Sequence, residues 1–338
     1  AVARRALAAA LDQPLGYTVA LGLPALREAI AGLYRRWYGV ELNPGRVVIT
    51  AGSSGAFLLA FAALFEAGDR VAVGEPGYPS YRQILRAMSV EPVGMPTRFE
   101  NRYQPVPADI PADVQGVMLA SPGNPSGTML DHAALAALAA RASEIGAALI
   151  SDEIYHGLSY GARCVSALEV TDDVVVINSF SKFFSMTGWR IGWMVVPPDL
   201  VRTMDRLAAN MFICPPHVSQ VAALAALSPE GEAEAQANLA VYAENRRLLL
   251  DRLPAIGFDR IAPPDGAFYL YADVSALTDD SAALAAEILE HAGVAVTPGI
   301  DFDPVRGRQT LRFSYAGATD EIAPVSYTHL TLPTSDLV

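Results

Sequence analysis

Lysine is almost missing from this chain. Of the 24 basic side chains in its 338 residues, 23 are arginine, and the exception is Lys182. An arginine-biased composition explains the scarcity but not the place where the one lysine stands. Cysteine is scarce too. Cys164 and Cys214 are too few for a disulfide framework and do not pair at metal-ligand spacing. The five histidines (His132, His156, His217, His291 and His329) are scattered, so no metal site is expected. The longest apolar run, Ala56 to Phe65, is ten residues and reads as a buried helix, since that length cannot cross a bilayer. Net charge is −12 with a pI near 4.8, so no phosphate-seeking surface is implied, and neither nucleic acid nor membrane is expected as a partner. With no secretory or lipidation motif in the sequence, the expected location is the cytoplasm.

What the chain has is apolar content, 52%, with a mean hydropathy of +0.27. The length suits two domains with a large interior. From Val47 onward, short β-branched runs alternate with helical stretches. The strand candidates are 47–50, 70–75, 91–96, 116–121, 148–153, 174–179 and 190–196, with helical patterns over Gly55–Phe65 and Asp131–Ile145. That order predicts a mostly parallel sheet covered on both faces, with ligands beyond the carboxyl ends of its strands. After about Met204 come long helices, then strand candidates at 267–274, 294–299 and 310–316 around a helix over Ser281–Ala292. This second texture reads as an α+β module. The expected division is a large domain over 30–230 and a small domain over 1–29 with 231–324.

A buried lysine can lose its proton and attack a carbonyl, whereas an arginine stays charged. Lys182 sits just past an apolar strand and before two phenylalanines, in "SFSKFFSMTGWRIG". Asp152 ends another apolar run, in "SDEIY"; taken alone it also suits a helix or turn cap. Ser53 and Ser54, in "ITAGSSGA", open the apolar helix, where backbone amides and the helix dipole favour an anion. Arg312 stands mid-strand in "LRFSYAG" among apolar neighbours, where a carboxylate is its natural partner.

These motifs, in this order, resemble the class I/II pyridoxal-phosphate-dependent aminotransferases of fold type I, from about Tyr17 to Gly317. The resemblance implies a three-layer α/β large domain with a seven-stranded, mostly parallel sheet, a smaller α+β domain and pyridoxal 5'-phosphate as cofactor. It makes Lys182 the Schiff-base lysine, Asp152 the partner of the pyridine nitrogen and Tyr155 a ligand of the ring oxygen, these three being the catalytic set. Asn124, in "SPGNPSG", also reaches the ring oxygen and the substrate carboxylate, and Tyr78, in "EPGYPSY", lies on the ring face. Ser53, Ser54, Ser179, Ser181 and Arg190 form the phosphate cup. Tyr17, in "YTVALGLPALREA", reaches the phosphate of the neighbouring subunit of a homodimer. Arg312 grips the carboxylate of an amino acid or 2-oxo acid substrate.

The implied reaction is ping-pong transfer of an amino group between an amino acid and a 2-oxo acid. A lyase of the same fold, and the aminotransferase-like domain of a transcription regulator, remain open as alternatives. The chain opens on alanine, so the first residues of the gene product are expected to be missing. From Val325 the tail "VSYTHLTLPTSDLV" lacks the arginine and glutamate that mark the rest and resembles a translated sequencing adapter. Residues 325–338 are therefore expected to be non-native.

Overall fold

The computed structural model describes residues 1–322, so the tail expected to be non-native lies outside the described residues. Helices α1 (Val2–Ala10) and α2 (Pro24–Tyr38) lead into β1 (Val47–Thr50), α3 (Gly52–Leu64), β2 (Arg70–Glu75), α4 (Pro79–Ala87), β3 (Glu91–Pro96) and β4 (Gly116–Ala120). Then follow α5 (His132–Glu144), β5 (Ala148–Asp152), β6 (Val175–Ser179), β7 (Gly192–Val195), α6 (Val201–Met211), α7 (His217–Ala226) and α8 (Pro229–Arg252). The last elements are β8 (Arg260–Ile261), β9 (Tyr269–Asp273), α9 (Ser281–Ala292), β10 (Thr297–Pro298), β11 (Thr310–Ser314) and α10 (Thr319–Ile322). Local chemistry sets several ends. Asp131 accepts the Ala134 N–H at the start of α5, Ser228 caps α8 ahead of Pro229, and Gly39 closes α2 in the left-handed region at φ +71°.

The seven-stranded sheet runs β1-β7-β6-β5-β4-β2-β3. Its pairs are parallel except those of β7, which runs antiparallel between β1 and β6. Successive strand residues alternate between two separate cores, as the two-residue period of a strand requires. Val47, Ile49, Val117, Leu119, Val176 and Trp193 pack on one face with α2, α5 and α7. Val48, Met118, Ile150, Ile177 and Met194 pack on the other with α3, α4 and α6. Three layers result, and the strands read as continuous apolar runs because both faces are buried. The four-stranded sheet β10-β11-β9-β8 has its own core, in which Leu270, Ala272, Leu311 and Phe313 meet Leu249 of α8 and Ile288 of α9. The boundary expected at residues 29 and 30 falls inside α2, whose Leu26, Ile30 and Leu33 belong to the large-sheet core.

Among the described residues no helix is long and apolar enough to cross a membrane, and no group of His, Cys, Asp and Glu could hold a metal ion.

One buried polar network crosses the core next to β5. Glu153 accepts the Ala167 N–H (2.7 Å) and the hydroxyls of Ser166 (2.9 Å) and Ser151 (3.2 Å). His156 Nε2 lies 2.9 Å from the Ser121 carbonyl, which can only accept, so the proton sits on Nε2 and Nδ1 receives the Tyr38 hydroxyl at 2.6 Å. Burial pushes Glu153 up to about 8 and His156 down to about 4. Both are thus held without charge at neutral pH. As pH falls from 6.5 to 4, unfolded chains take up a proton on His156 that the folded chain refuses, so stability is lost on acidification. Glu153 works the other way between pH 8 and 4.5. His156→Gln replaces the imidazole by an amide that still offers a donor and an acceptor but cannot titrate. Its melting temperature should fall less than that of the parent between pH 6.5 and 4, and thermal denaturation across that range checks this.

Candidate active site

The carboxyl ends of the parallel strands, together with the start of β7, wall a cavity of about 410 Å³. One end of it is built for an anion. Helix α3 begins at Gly52, three residues earlier than the helical pattern over Gly55–Phe65 predicts, so the Ser53 and Ser54 amides fall in its first turn, where N–H groups have no helical acceptor. Gly52 takes φ +71°, and a Cβ there would sit 2.6 Å from Arg190 Nη2, so only glycine lets the guanidinium lie against this turn. Gly192 is equally confined, since a Cβ would meet the Asn178 carbonyl at 2.8 Å and the Gly52 carbon at 2.9 Å. Ser53, Ser54, Ser181, Thr187 and Arg190 line this end, and Arg190 Nη1 donates to the Thr187 carbonyl at 2.9 Å.

The middle of the cavity holds a carboxylate, an amine and a set of rings. Asp152 ends β5 with Oδ1 accepting the Ile154 N–H (3.0 Å) and Oδ2 accepting the Tyr81 hydroxyl. Burial pushes Asp152 up to about 6, against the hydrogen bonds from Tyr81 and Ile154 and the positive charge of Lys182. Lys182 Nζ lies 5.6 Å from the Tyr155 ring centre and 5.7 Å from that of Phe268, with no hydrogen-bond partner among the described residues. Burial lowers its pKa; Asp152 opposes this, and Arg312 and Arg190 add to it. The Tyr155 hydroxyl lies 3.0 Å from that of Tyr269, and burial holds Tyr155 well above the ordinary phenol value, so it stays a donor. The Tyr78 ring, half open to solvent, stands edge-on to Tyr81 at 5.4 Å.

At the far end Arg312 projects from β11. Its Nη1 donates to Asn124 Oδ1 (2.9 Å) and its Nη2 to Thr297 Oγ1 (3.2 Å). The guanidinium is sandwiched between the Tyr269 and Phe302 rings, 4.3 and 4.7 Å from their centres. No carboxylate pairs with it among the described residues, and its Nε is buried without an acceptor. A half-buried, unpaired guanidinium in a cavity is a receptor for an anion from outside.

Ten of the residues singled out from sequence meet here: Ser53, Ser54, Tyr78, Asn124, Asp152, Tyr155, Ser181, Lys182, Arg190 and Arg312. Two do not. Ser179 is buried one layer behind, where its Oγ accepts the Ser181 N–H (3.1 Å) and lies 3.0 Å from the Ile191 carbonyl, so it shapes the turn instead of facing the cavity. Tyr17 is 85% exposed and away from the cavity of its own chain. Sequence reasoning missed Tyr81 and Tyr269. Tyr81 stands one helical turn from Tyr78, a spacing that places the two rings together, and it was legible to that extent. Tyr269 comes from a strand 114 residues beyond Tyr155, and no local signal announces it.

The donor set suits pyridoxal phosphate. It offers free amides, hydroxyls and a guanidinium for a dianion, a buried carboxylate for a protonated ring nitrogen, and an unpaired amine between them. Comparison with known proteins agrees. The family of aminotransferases of class I and II matches residues 1–324. A valine–pyruvate aminotransferase of Mycobacterium tuberculosis is 53% identical over 325 residues, 94% of this chain and 84% of its own length. The crystal structure of an aminotransferase from Mycobacterium tuberculosis is 51% identical with a TM-score of 0.94, over 96% of this chain and 86% of that one. Aspartate aminotransferase from Thermus thermophilus with maleate is 32% identical with a TM-score of 0.90, over 96% and 86% of the two chains. The chain therefore belongs to the class I and II aminotransferases of the aspartate aminotransferase type, a pyridoxal-phosphate-dependent family, and is a transaminase.

Proposed function

We propose that this transaminase binds pyridoxal phosphate through Lys182 and moves an amino group from a neutral amino acid of the valine type to pyruvate, by a ping-pong route. The observation that carries the reading is the convergence of Lys182, Asp152 and an unpaired Arg312 on one cavity. When bound, the cofactor supplies a carbonyl carbon for amine capture and a ring that draws electrons from the substrate α-carbon. The Ser53 and Ser54 amides, Ser181 Oγ and Arg190 hold its phosphate, with Ser179 bracing Ser181. Asp152 keeps a proton on the ring nitrogen. Tyr155 and Asn124 would hold the ring oxygen, and Tyr78 would pack on the ring. Arg312, with Asn124, takes the α-carboxylate and presents the α-C–H to Lys182. The amine there, its proton loosened by burial, removes the α-proton and returns it elsewhere. Among the described residues the cations lining the cavity are Lys182, Arg190 and Arg312, each with a role above, which supports a neutral side chain; the valine–pyruvate activity named for a 53% identical relative points the same way.

The same reading takes the enzyme to be a cytoplasmic homodimer of two-domain subunits, in which Tyr17 completes the partner's phosphate site. Tyr17 stands among the exposed apolar side chains of Leu15 and Val19, a surface suited to burial by a second copy.

Borohydride treatment of the cofactor-loaded protein should fix a pyridoxyl label on Lys182, detected by peptide mass, and Lys182→Ala should abolish it. Label elsewhere, or none, would overturn the reading. Arg312→Gln should raise KM for amino acids roughly a hundred-fold, the cost of an unpaired carboxylate in a closed site, as measured by steady-state kinetics. In the cofactor-loaded protein, L-valine should discharge the visible band of the bound cofactor with stoichiometric 2-oxo acid release at concentrations where L-aspartate does not. The reverse preference would reject the neutral-donor assignment.

A further inference from the structure

Away from the cavity, a set of hydrogen bonds ties the segment before β11 to the ends of β2 and β3. Arg306 Nη2 donates to the Glu75 carbonyl (2.7 Å) and Nη1 to the Thr97 carbonyl, while Nε is held by Asp303 Oδ2 at 2.8 Å. Asp303, buried, is filled by its own segment, since its Oδ1 accepts the N–H groups of Val305 and Arg306, each at 2.9 Å. From the other side, the Gly77 N–H (3.0 Å) and Arg82 Nη1 (3.1 Å) both donate to the Phe302 carbonyl, and Arg82 Nη2 reaches the Asp301 carbonyl at 3.3 Å. Gly299 and Gly307 meet backbone to backbone at the base of the segment, where a Cβ on Gly307 would sit 2.3 Å from the Gly299 carbon. Phe302 is the outcome of this bracing. Its backbone is pinned to the turn that precedes Tyr78, and its ring lies on the guanidinium of Arg312.

We propose that Arg306 is a positioning residue: by fastening residues 301–306 to the ends of β2 and β3 it holds Phe302 against Arg312, and so sets the guanidinium that receives the substrate carboxylate. The proposal rests on the carboxylate role argued above for Arg312. A guanidinium with one ring of its sandwich loosened has more orientations to lose when a carboxylate binds, so the effect belongs in substrate binding and not in the chemistry of the bound state. Among the described residues the hydrogen bonds and ion pair of Arg306 go to Glu75, Thr97 and Asp303, none of them at the anion end or bonded to Asp152, so cofactor affinity should change little.

The test compares the parent with Arg306→Gln, Arg306→Lys, Arg312→Gln and the Arg306→Gln/Arg312→Gln double variant. Two quantities are read: binding of pyridoxal phosphate to cofactor-free protein, by quenching of tryptophan fluorescence, and single-turnover reaction with L-valine over a range of concentrations. Arg306→Gln should raise the half-saturating concentration roughly ten-fold, with the limiting rate and the cofactor dissociation constant within about two-fold of the parent. Arg306→Lys should recover part of that loss, and guards against a glutamine variant that folds poorly. In the double variant the Arg306 change should add little to the Arg312 loss, because the first acts through the second. Independent, additive losses, or an unchanged half-saturation in both Arg306 variants, would overturn the proposal. A parent that binds no cofactor, or that ignores Arg312→Gln, would instead overturn the functional reading on which it stands.

Discussion

A carboxylate at the end of a central strand, shut away from water, is unstable unless something rewards its charge, and much of the cavity can be understood as the reward for Asp152. The backbone at Ile154 and the Tyr81 phenol fill its oxygens, and Lys182 places a positive charge nearby. These groups come from three different elements, so satisfying one side chain requires the β5 end, the α4 helix and the turn after β6 to assemble together. Burial still wins part of the contest, leaving the group near 6. The neighbour at Glu153 shows the alternative: with donors of its own but no cation beside it among the described residues, it is pushed to about 8 and stands neutral at physiological pH. Two adjacent carboxyl groups on one strand end thereby acquire different charge states from their surroundings alone.

The same competition explains Lys182 and Arg312. The lysine loses solvent faster than it gains Asp152, which leaves its amine easier to deprotonate. The arginine cannot respond that way, so it remains charged between two rings and lacks a carboxylate of its own. The lone lysine among 23 arginines thus stands in the cavity where burial loosens its proton, a response no arginine could make.

The sheet was legible because strands buried on both faces advertise themselves as short apolar runs, and 47–50, 70–75 and 91–96 coincide with β1, β2 and β3. The residues carried by strand ends were legible for the same reason, since an open parallel sheet gathers its carboxyl ends on one side. Other features depend on information that spacing does not hold. Whether Ser179 or Ser181 faces the cavity turns on the path of a short loop, and its Oγ is spent inside that loop. Tyr81, Tyr269 and Phe302 matter through partners far along the chain, and Arg306 through carbonyls more than two hundred residues earlier, which no local pattern encodes. The start of α3 at Gly52 lies ahead of the expected one because "GSS" lacks the apolar periodicity by which helices are recognised, although Ser53 and Ser54 line the cavity.

The antiparallel strand β7 also orders events in time. Within the large sheet β1 is an edge whose sole neighbour is β7, and β7 emerges from the ribosome more than a hundred residues later. At ordinary elongation rates that is on the order of ten seconds during which a four-residue strand and the α3 helix that follows it have no sheet to join. Arg190, which fills the space above Gly52, arrives with β7. That end of the cavity is therefore completed only once β7 arrives, still ahead of the Tyr269 and Arg312 end carried by β9 and β11, and a nascent chain halted before Arg190 would hold the whole parallel half of the sheet yet lack the guanidinium above Gly52.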